Sequence, residues 1–327
     1  MSSFSDNPTS RQDDAPARRC ADTPARPSPN NPRVNRAVLN RDSKFYILDW
    51  DNNILHMPTR IHLEKRGPGG VWQPHSVSTA MFSVVRNDTE NYRPPNGDWK
   101  QAFAEFQDPA DLSENRFLRD AAEAIERALK NPETAAPSFN TFRRTLAEGR
   151  LFAIVTARGH SSETLKKGVR LFIDRVLTPA ERDEMMASLR GYRACYDGVE
   201  TFGTDEEELA YYLALNRYHA VTSPAFEARV AELFPGAVGQ EERKQFAIHD
   251  FVRHVIRILE RTGALGKPVS VGFSDDDPGN IHAVTSYIST ELKNRFPNVK
   301  FVVYDTSAPH IEGGRKITVS GQLDLGL

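Results

Sequence analysis

The chain has 327 residues, enough for one large domain or two smaller ones, and its 42 basic and 44 acidic residues leave a net charge of −2. That balance gives no global electrostatic reason to expect nucleic acid or an anionic membrane as partner. No apolar stretch approaches the roughly 18–20 residues needed to span a bilayer, so no membrane partner is expected.

Residues 1 to about 40 are rich in Ser, Pro, Asn, Asp and Arg and carry almost no large apolar groups. They cannot offset the entropy of ordering, so a disordered tail is expected. The tail lacks the apolar segment of a secretory signal. Of the two cysteines, Cys20 falls in this tail and Cys195 far from it, so a structural disulfide is not expected and the compartment reads as reduced and cytoplasmic.

Residues 44–48 are short, apolar and aromatic, and predict a buried strand. Residues 58–113 are broken by Pro58, by Gly67, Pro68, Gly69 and Gly70, by Pro74, and by Pro94, Pro95, Asn96 and Gly97. Within them, residues 81–85 offer one short strand. Phe117, Leu118, Ala121, Ile125, Ala128 and Leu129 fall on one helical face, and Phe139, Phe142 and Leu146 on another, with Gly149 placed as a cap. Residues 151–155 predict a second strand, followed by a helix with Leu165, Val169 and Phe172 inward. Thr178 with Glu181 and Thr204 with Glu207 fit the capping box, so residues 178–218 read as mainly helical. A short strand at 218–222 and a helix opened by Ser223 and Pro224 come next. The best helix runs from about 241 to 262 and stops at Gly263. A strand at 269–273, a helix carrying Ile281, Val284, Ile288 and Leu292, and a last strand at 299–304 close the series.

Strands alternating with helices predict an α/β fold: a Rossmann-like, three-layer α/β/α core on a mainly parallel sheet. In such sheets, sites form outside the carboxyl ends of the strands. Asp49, Asp51, Thr156 and Asp275 all fall immediately after predicted strands. Asp49 and Asp51, one residue apart, point the same way and repel each other unless a cation or a shared proton neutralises them. Asp275, Asp276 and Asp277 form a second acidic cluster, and the two strand ends together offer oxygen ligands to a hard cation such as Mg²⁺.

With these motifs the chain resembles the haloacid dehalogenase-like (HAD) phosphohydrolase superfamily over roughly 44–57, 150–176 and 241–306. Its first motif, an apolar strand followed by Asp-x-Asp, corresponds to Leu48, Asp49, Trp50 and Asp51. The second, a strand-end Thr, corresponds to Thr156, followed by Ala157 and Arg158. The fourth, an acidic pair after a later strand, corresponds to Asp275 and Asp276. The third, a Lys, is expected at Lys244, with Lys267 as the alternative. Members often have Gly-Thr where this chain has Asn52 and Asn53, and Asn tolerates the left-handed turn needed there.

The resemblance implies that Asp49 is a nucleophile forming an aspartyl-phosphate. Asp51 would protonate the leaving alcohol and later activate water. Mg²⁺ would be held by Asp49, the main-chain carbonyl of Asp51, and Asp275 or Asp276. Thr156, Ala157, Arg158 and Asn53 would bind substrate, and Lys244 would balance charge. The Asp at position 51 favours phosphatase or phosphotransferase chemistry, because members that cleave carbon–halogen bonds lack it. More than a hundred positions separate Asp49 from Thr156, and again Thr156 from Asp275. The expected layout is therefore a core of 41–57, 141–177 and 239–327, a cap insertion at 58–140, and a mainly helical second insertion at 178–238. Arg86, Arg93 and Trp99 are candidate binding groups in the cap. Trp50 either lines the leaving-group pocket or packs under the sheet. The expected substrate is a phosphorylated small molecule. A protein or nucleic-acid end, an acceptor alcohol, and a silent binding role stay open as alternatives.

Overall fold

The computed structural model describes residues 42–109, 115–233, 239–263 and 268–320. The expected tail at 1–40 and the alternative Lys267 lie outside the described residues. Strand β1 (Ser43–Leu48) sends Leu48 to one face of a sheet and Ile47 to the other, and both are buried. A strand covered on both faces reads as a continuous apolar run, which is why this segment stands out in the sequence.

A small module follows. Strands β2 (Ile61–Arg66) and β3 (Trp72–Val77) pair antiparallel, helix α1 (Thr79–Val85) comes next, and β4 (Tyr92–Arg93) pairs with the other edge of β2 before helix α2 (Trp99–Ala102). Ile61, Leu63, Val77, Val85, Ala102 and Phe106 form its own apolar cluster. Pro74 is tolerated because β3 is an edge strand. The expected strand at 81–85 is instead helical. Ser78 caps it through Met81 N, and Val85 and Phe82 face the cluster while Val84 is 75% exposed, a helical rather than an alternating pattern.

Helix α3 (Arg116–Lys130) leaves the module and returns to the main core. Its Phe117, Ala121, Ala124 and Ile125 pack with Leu48 and Phe152, so the expected 58–140 insertion is corrected to the shorter stretch ending near Phe106. Helix α4 (Phe139–Ala147), strand β5 (Phe152–Thr156) and helix α5 (Ser162–Val176) follow as predicted. Helices α6 (Pro179–Tyr192) and α7 (Asp205–Leu215) open with capping boxes at Thr178 and Thr204. They bury Met185, Met186, Leu189, Leu209, Tyr212 and Leu213 in the same cluster as Leu48. Helices α6 and α7 of the expected second insertion thus share the core of the main sheet. They lead to strand β6 (Arg217–Ala220), the edge strand beside β5, which accounts for the long spacing between Thr156 and Asp275.

Helix α8 (Pro224–Leu233) and helix α9 (Gln240–Arg261) return over the opposite face, where Ala247, Ile248, Phe251, Val252 and Val255 pack with Ile47, Val155 and Phe273. Strand β7 (Val269–Asp275), helix α10 (Pro278–Tyr287) and strand β8 (Val299–Asp305) complete the parallel part. A further strand, β9 (Arg315–Ser320), runs antiparallel along β8 and was not expected. The sheet order is β6-β5-β1-β7-β8-β9. The architecture is α/β with a mostly parallel six-stranded sheet and helices on both faces. Among the described residues, no helix is long and apolar enough to cross a membrane.

Candidate active site

The chain runs from β1 outward to β5 and β6 on one side and returns to β7 on the other, so the direction of winding reverses at β1. That reversal opens a crevice at the carboxyl ends of the strands. Leu48 is in register with Ile154 of β5 and with Ser274 of β7. Asp49 thus follows β1, while Thr156 and Asp275 are the last residues of the adjacent strands β5 and β7.

Lys244 reaches this point from α9. It lies one turn before Ile248 on the buried face of that helix, and its side chain is only 2% exposed. Its ammonium lies 2.7 Å from Asp275 Oδ2 and 3.6 Å from Asp49 Oδ1. Asp275 is fully engaged: Asn280 Nδ2 donates to both of its oxygens at 3.0 and 3.2 Å, and Asp277 N donates to Oδ1 at 3.0 Å. Among the described residues, Asp49 Oδ1 is buried without a hydrogen-bond partner. Asp276 accepts from Asn52 Nδ2 at 3.1 Å, and Asn52 takes the left-handed conformation (φ 53°) expected of it.

The electrostatics follow from one buried ammonium facing several carboxylates. Burial pushes the Asp49 carboxyl well above its usual range; Lys244 pulls it down, and Asp275, Asp276 and Asp51 push it up again. Asp276 is pushed up to about 7, by burial first and Asp275 second. Burial works to lower Lys244, but Asp275 and Asp49 together hold its ammonium above the ordinary lysine value. The cluster therefore has room for one more positive charge, a proton or a cation.

Asp51 has a different environment. Arg158 Nε and Nη2 donate to its two oxygens at 2.7 Å each, and the Arg158 side chain is 1% exposed. Nη2 also donates to Thr59 Oγ1 at 2.9 Å, and Thr59 in turn donates to Asp120 Oδ2 at 2.8 Å. Arg158 was expected to bind substrate; its guanidinium is instead directed at Asp51.

Asn53 is corrected in the same way. It is fully buried, its Nδ2 donates to Asp49 O, Ser274 O and Ser274 Oγ, and its Oδ1 accepts from Ser138 Oγ and Thr306 Oγ1. It ties the ends of β1 and β7 together and has no face left for substrate. Thr156 is buried, with its hydroxyl 3.5 Å from Arg158 N. Ala157 is exposed beside it, its carbonyl accepting from Thr222 Oγ1. Trp50 packs beneath the sheet, 5.3 Å from the ring of Phe117.

The small module reaches the loops that follow β1, β7 and β5. Asn52 Nδ2 donates to Thr79 Oγ1 at 2.9 Å, Arg86 pairs with Asp277 at 2.9 Å, and Gly159 N donates to Phe106 O at 2.9 Å. Arg93 is engaged by Glu64 and by the Trp72 ring, and Trp99 stacks on Phe103. Sequence reasoning missed Thr59, Phe106 and Asp120, because nothing local in an isolated Thr, Phe or Asp signals a distant buried arginine.

Among the described residues, no three His, Cys, Asp or Glu side chains converge into a group that could hold a metal. A separate cavity of about 130 Å³ opens at the amino end of the sheet, lined by Phe45, Tyr192, Tyr196 and Tyr211. It lies away from these carboxylates. No protein-family model matches the chain, and no curated protein or solved structure matches it. The class it falls in is the one its own topology defines, α/β with a mostly parallel sheet, and any functional reading rests on this cluster.

Proposed function

We propose that this protein is a Mg²⁺-dependent phosphatase of the HAD type, with a Rossmann-like core, acting on a phosphate monoester of a small metabolite. The observation that carries the reading is the buried Lys244 bridging Asp49 and Asp275, with Asp49 Oδ1 ion-paired to it but free of hydrogen bonds among the described residues, at the point where the sheet reverses its winding. The small module at 61–106 would act as the cap, supported by its contacts through Thr79, Arg86 and Phe106.

In this reading Asp49 Oδ1 attacks phosphorus as the bond to the leaving oxygen breaks, and Asp51 gives that oxygen a proton. Water then attacks the phosphoryl group and loses its proton to Asp51. The acyl-phosphate P–O bond breaks, which releases inorganic phosphate and restores the Asp49 carboxylate. Lys244 keeps Asp49 compensated through both steps. Thr156 stands at the neighbouring strand end to donate to a phosphoryl oxygen.

The residues present fit Mg²⁺. This ion is commonly held by only one or two carboxylates with water and substrate phosphate, so a cage of three side chains is not required. Asp49 and Asp276 with the Asp51 carbonyl would hold it, since both oxygens of Asp275 are already engaged. When bound, it would offset the negative charge shared by nucleophile and phosphate.

The test is phosphate release from an aryl phosphate and a panel of metabolite phosphates, using wild type and Asp49→Asn, with Mg²⁺ and with excess chelator. Turnover that requires both Asp49 and Mg²⁺ supports the reading, and the panel then ranks substrates. A folded protein that turns over none of them, or an Asp49→Asn variant as active as wild type, overturns it.

A further inference from the structure

We infer that Arg158 is a positioning residue for Asp51, and that Phe106 of the small module completes its seat, so that docking of the module and proton delivery by Asp51 are coupled. This rests on the phosphatase reading above.

Two observations carry it. First, the Arg158 fork holds both Asp51 oxygens at 2.7 Å. A planar guanidinium fixes the plane of a carboxylate, whereas a point charge would leave it free to rotate. The fork is itself anchored through Thr59 Oγ1 to Asp120 of α3, so its position is set from outside the loop that carries it. Second, the guanidinium carbon lies 4.7 Å from the centre of the Phe106 ring and 5.1 Å from that of Phe117. These rings come from different apolar clusters, Phe106 from the small module and Phe117 from the main core. Gly159 N donates to Phe106 O, so the same loop is tied to Phe106 a second time.

The consequence is geometric. For Asp51 to hand a proton to a leaving oxygen, one of its oxygens must leave the fork, while the other bond keeps the carboxyl aimed. If the module shifts, Phe106 moves with it, Arg158 loses one wall of its seat, and the aim is lost. Neither Phe106 nor Arg158 is assigned any contact with the reacting atoms.

The experiment compares an alkyl phosphate, whose leaving oxygen needs a proton, with p-nitrophenyl phosphate, whose leaving group does not. Arg158→Lys keeps the charge and removes the fork. General acid catalysis contributes about 10²–10⁴-fold, so partial loss of its aim is expected to lower the single-turnover rate of leaving-group release from the alkyl phosphate by about 10–100-fold. The single-turnover release of p-nitrophenol, which precedes the water-activating step, is expected to change by under about threefold. Phe106→Ala, in the other cluster, is expected to give the same pattern at smaller size, and Phe106→Leu to restore it in part. Should Arg158→Lys fail to fold, the two Phe106 variants carry the test alone.

Equal losses in the single-turnover rate on both substrates, or no loss in a folded variant, would overturn the inference and leave the phosphatase reading standing. A wild type inactive on both substrates, or activity independent of Asp49, would overturn both.

Discussion

Residue by residue, the cluster at the ends of β1 and β7 is short of positive charge. Asp276 is pushed up to about 7, whereas an ordinary aspartate titrates near about 3.9. The folded chain therefore holds this proton more tightly than the unfolded chain, and stability from this group falls as pH rises from about 4 to about 7. Buried histidines act in the opposite sense over much of the same range. His160, for example, is lowered to about 3, by burial first and Arg158 second. A difference measurement isolates the aspartate. In metal-free buffer, Asp276→Asn is expected to equal wild type near pH 4 and to become the more stable of the two by pH 7.5. Adding Mg²⁺ at pH 7.5 should close that gap by raising the melting temperature of wild type alone. Ligand at about a hundred times its Kd stabilises by about 2.7 kcal/mol, a shift of several degrees. Thermal melting of both proteins at both pH values checks this, and parallel curves with no response to Mg²⁺ would rule out Asp276 as the added cation's partner.

Between elements, α3 and α5 meet tightly behind the site. Gly168 of α5 faces Phe117, and a Cβ added there would lie 2.6 Å from Phe117 Cε1 and 3.0 Å from Cζ. Phe117 also flanks Arg158 and Trp50, so its ring cannot move freely. Gly168→Ala is therefore expected to destabilise by about 1–3 kcal/mol through overpacking, partly offset by about 1 kcal/mol of helix propensity. A lower urea midpoint with an unchanged slope would bear this out. A variant as stable as wild type would show that α3 and α5 can separate at little cost.

Across the whole molecule, the parallel sheet is buried on both faces at its centre and open only at its rims. Strands β1, β5 and β7 lie between the two apolar clusters, while β9 is a half-exposed edge held to β8. Hydrogen exchange is expected to be slowest in residues 45–48, 152–156 and 271–274, and faster by orders of magnitude in 315–320. Comparable protection throughout would contradict this division into centre and rim. The small module has its own cluster and meets the main body through a few polar contacts. This is the arrangement expected of an element that shifts against a rigid sheet.

Much of this was legible in the chain itself, because burial and turn chemistry are written locally. The apolar runs before Asp49, Thr156 and Asp275 showed three buried strands with polar ends. Lys244 was indicated by the resemblance, which expects a lysine near the start of the helix before β7, and the Thr178 and Thr204 caps were visible as four-residue patterns. The module strands β2 to β4 were obscured, because they are short, half-exposed and interrupted by Pro and Gly, and β9 because an edge strand alternates only weakly. What only the tertiary structure decided is which polar groups pair. That Arg158 faces Asp51 rather than solvent, and that Asn53 joins two strand ends instead of a ligand, depends on residues as distant as Thr59, Asp120, Ser274 and Thr306. The hydrophobic effect is non-directional and leaves a periodic trace along the chain. A hydrogen bond is directional, and its partner is known only once the fold has brought the two atoms within reach.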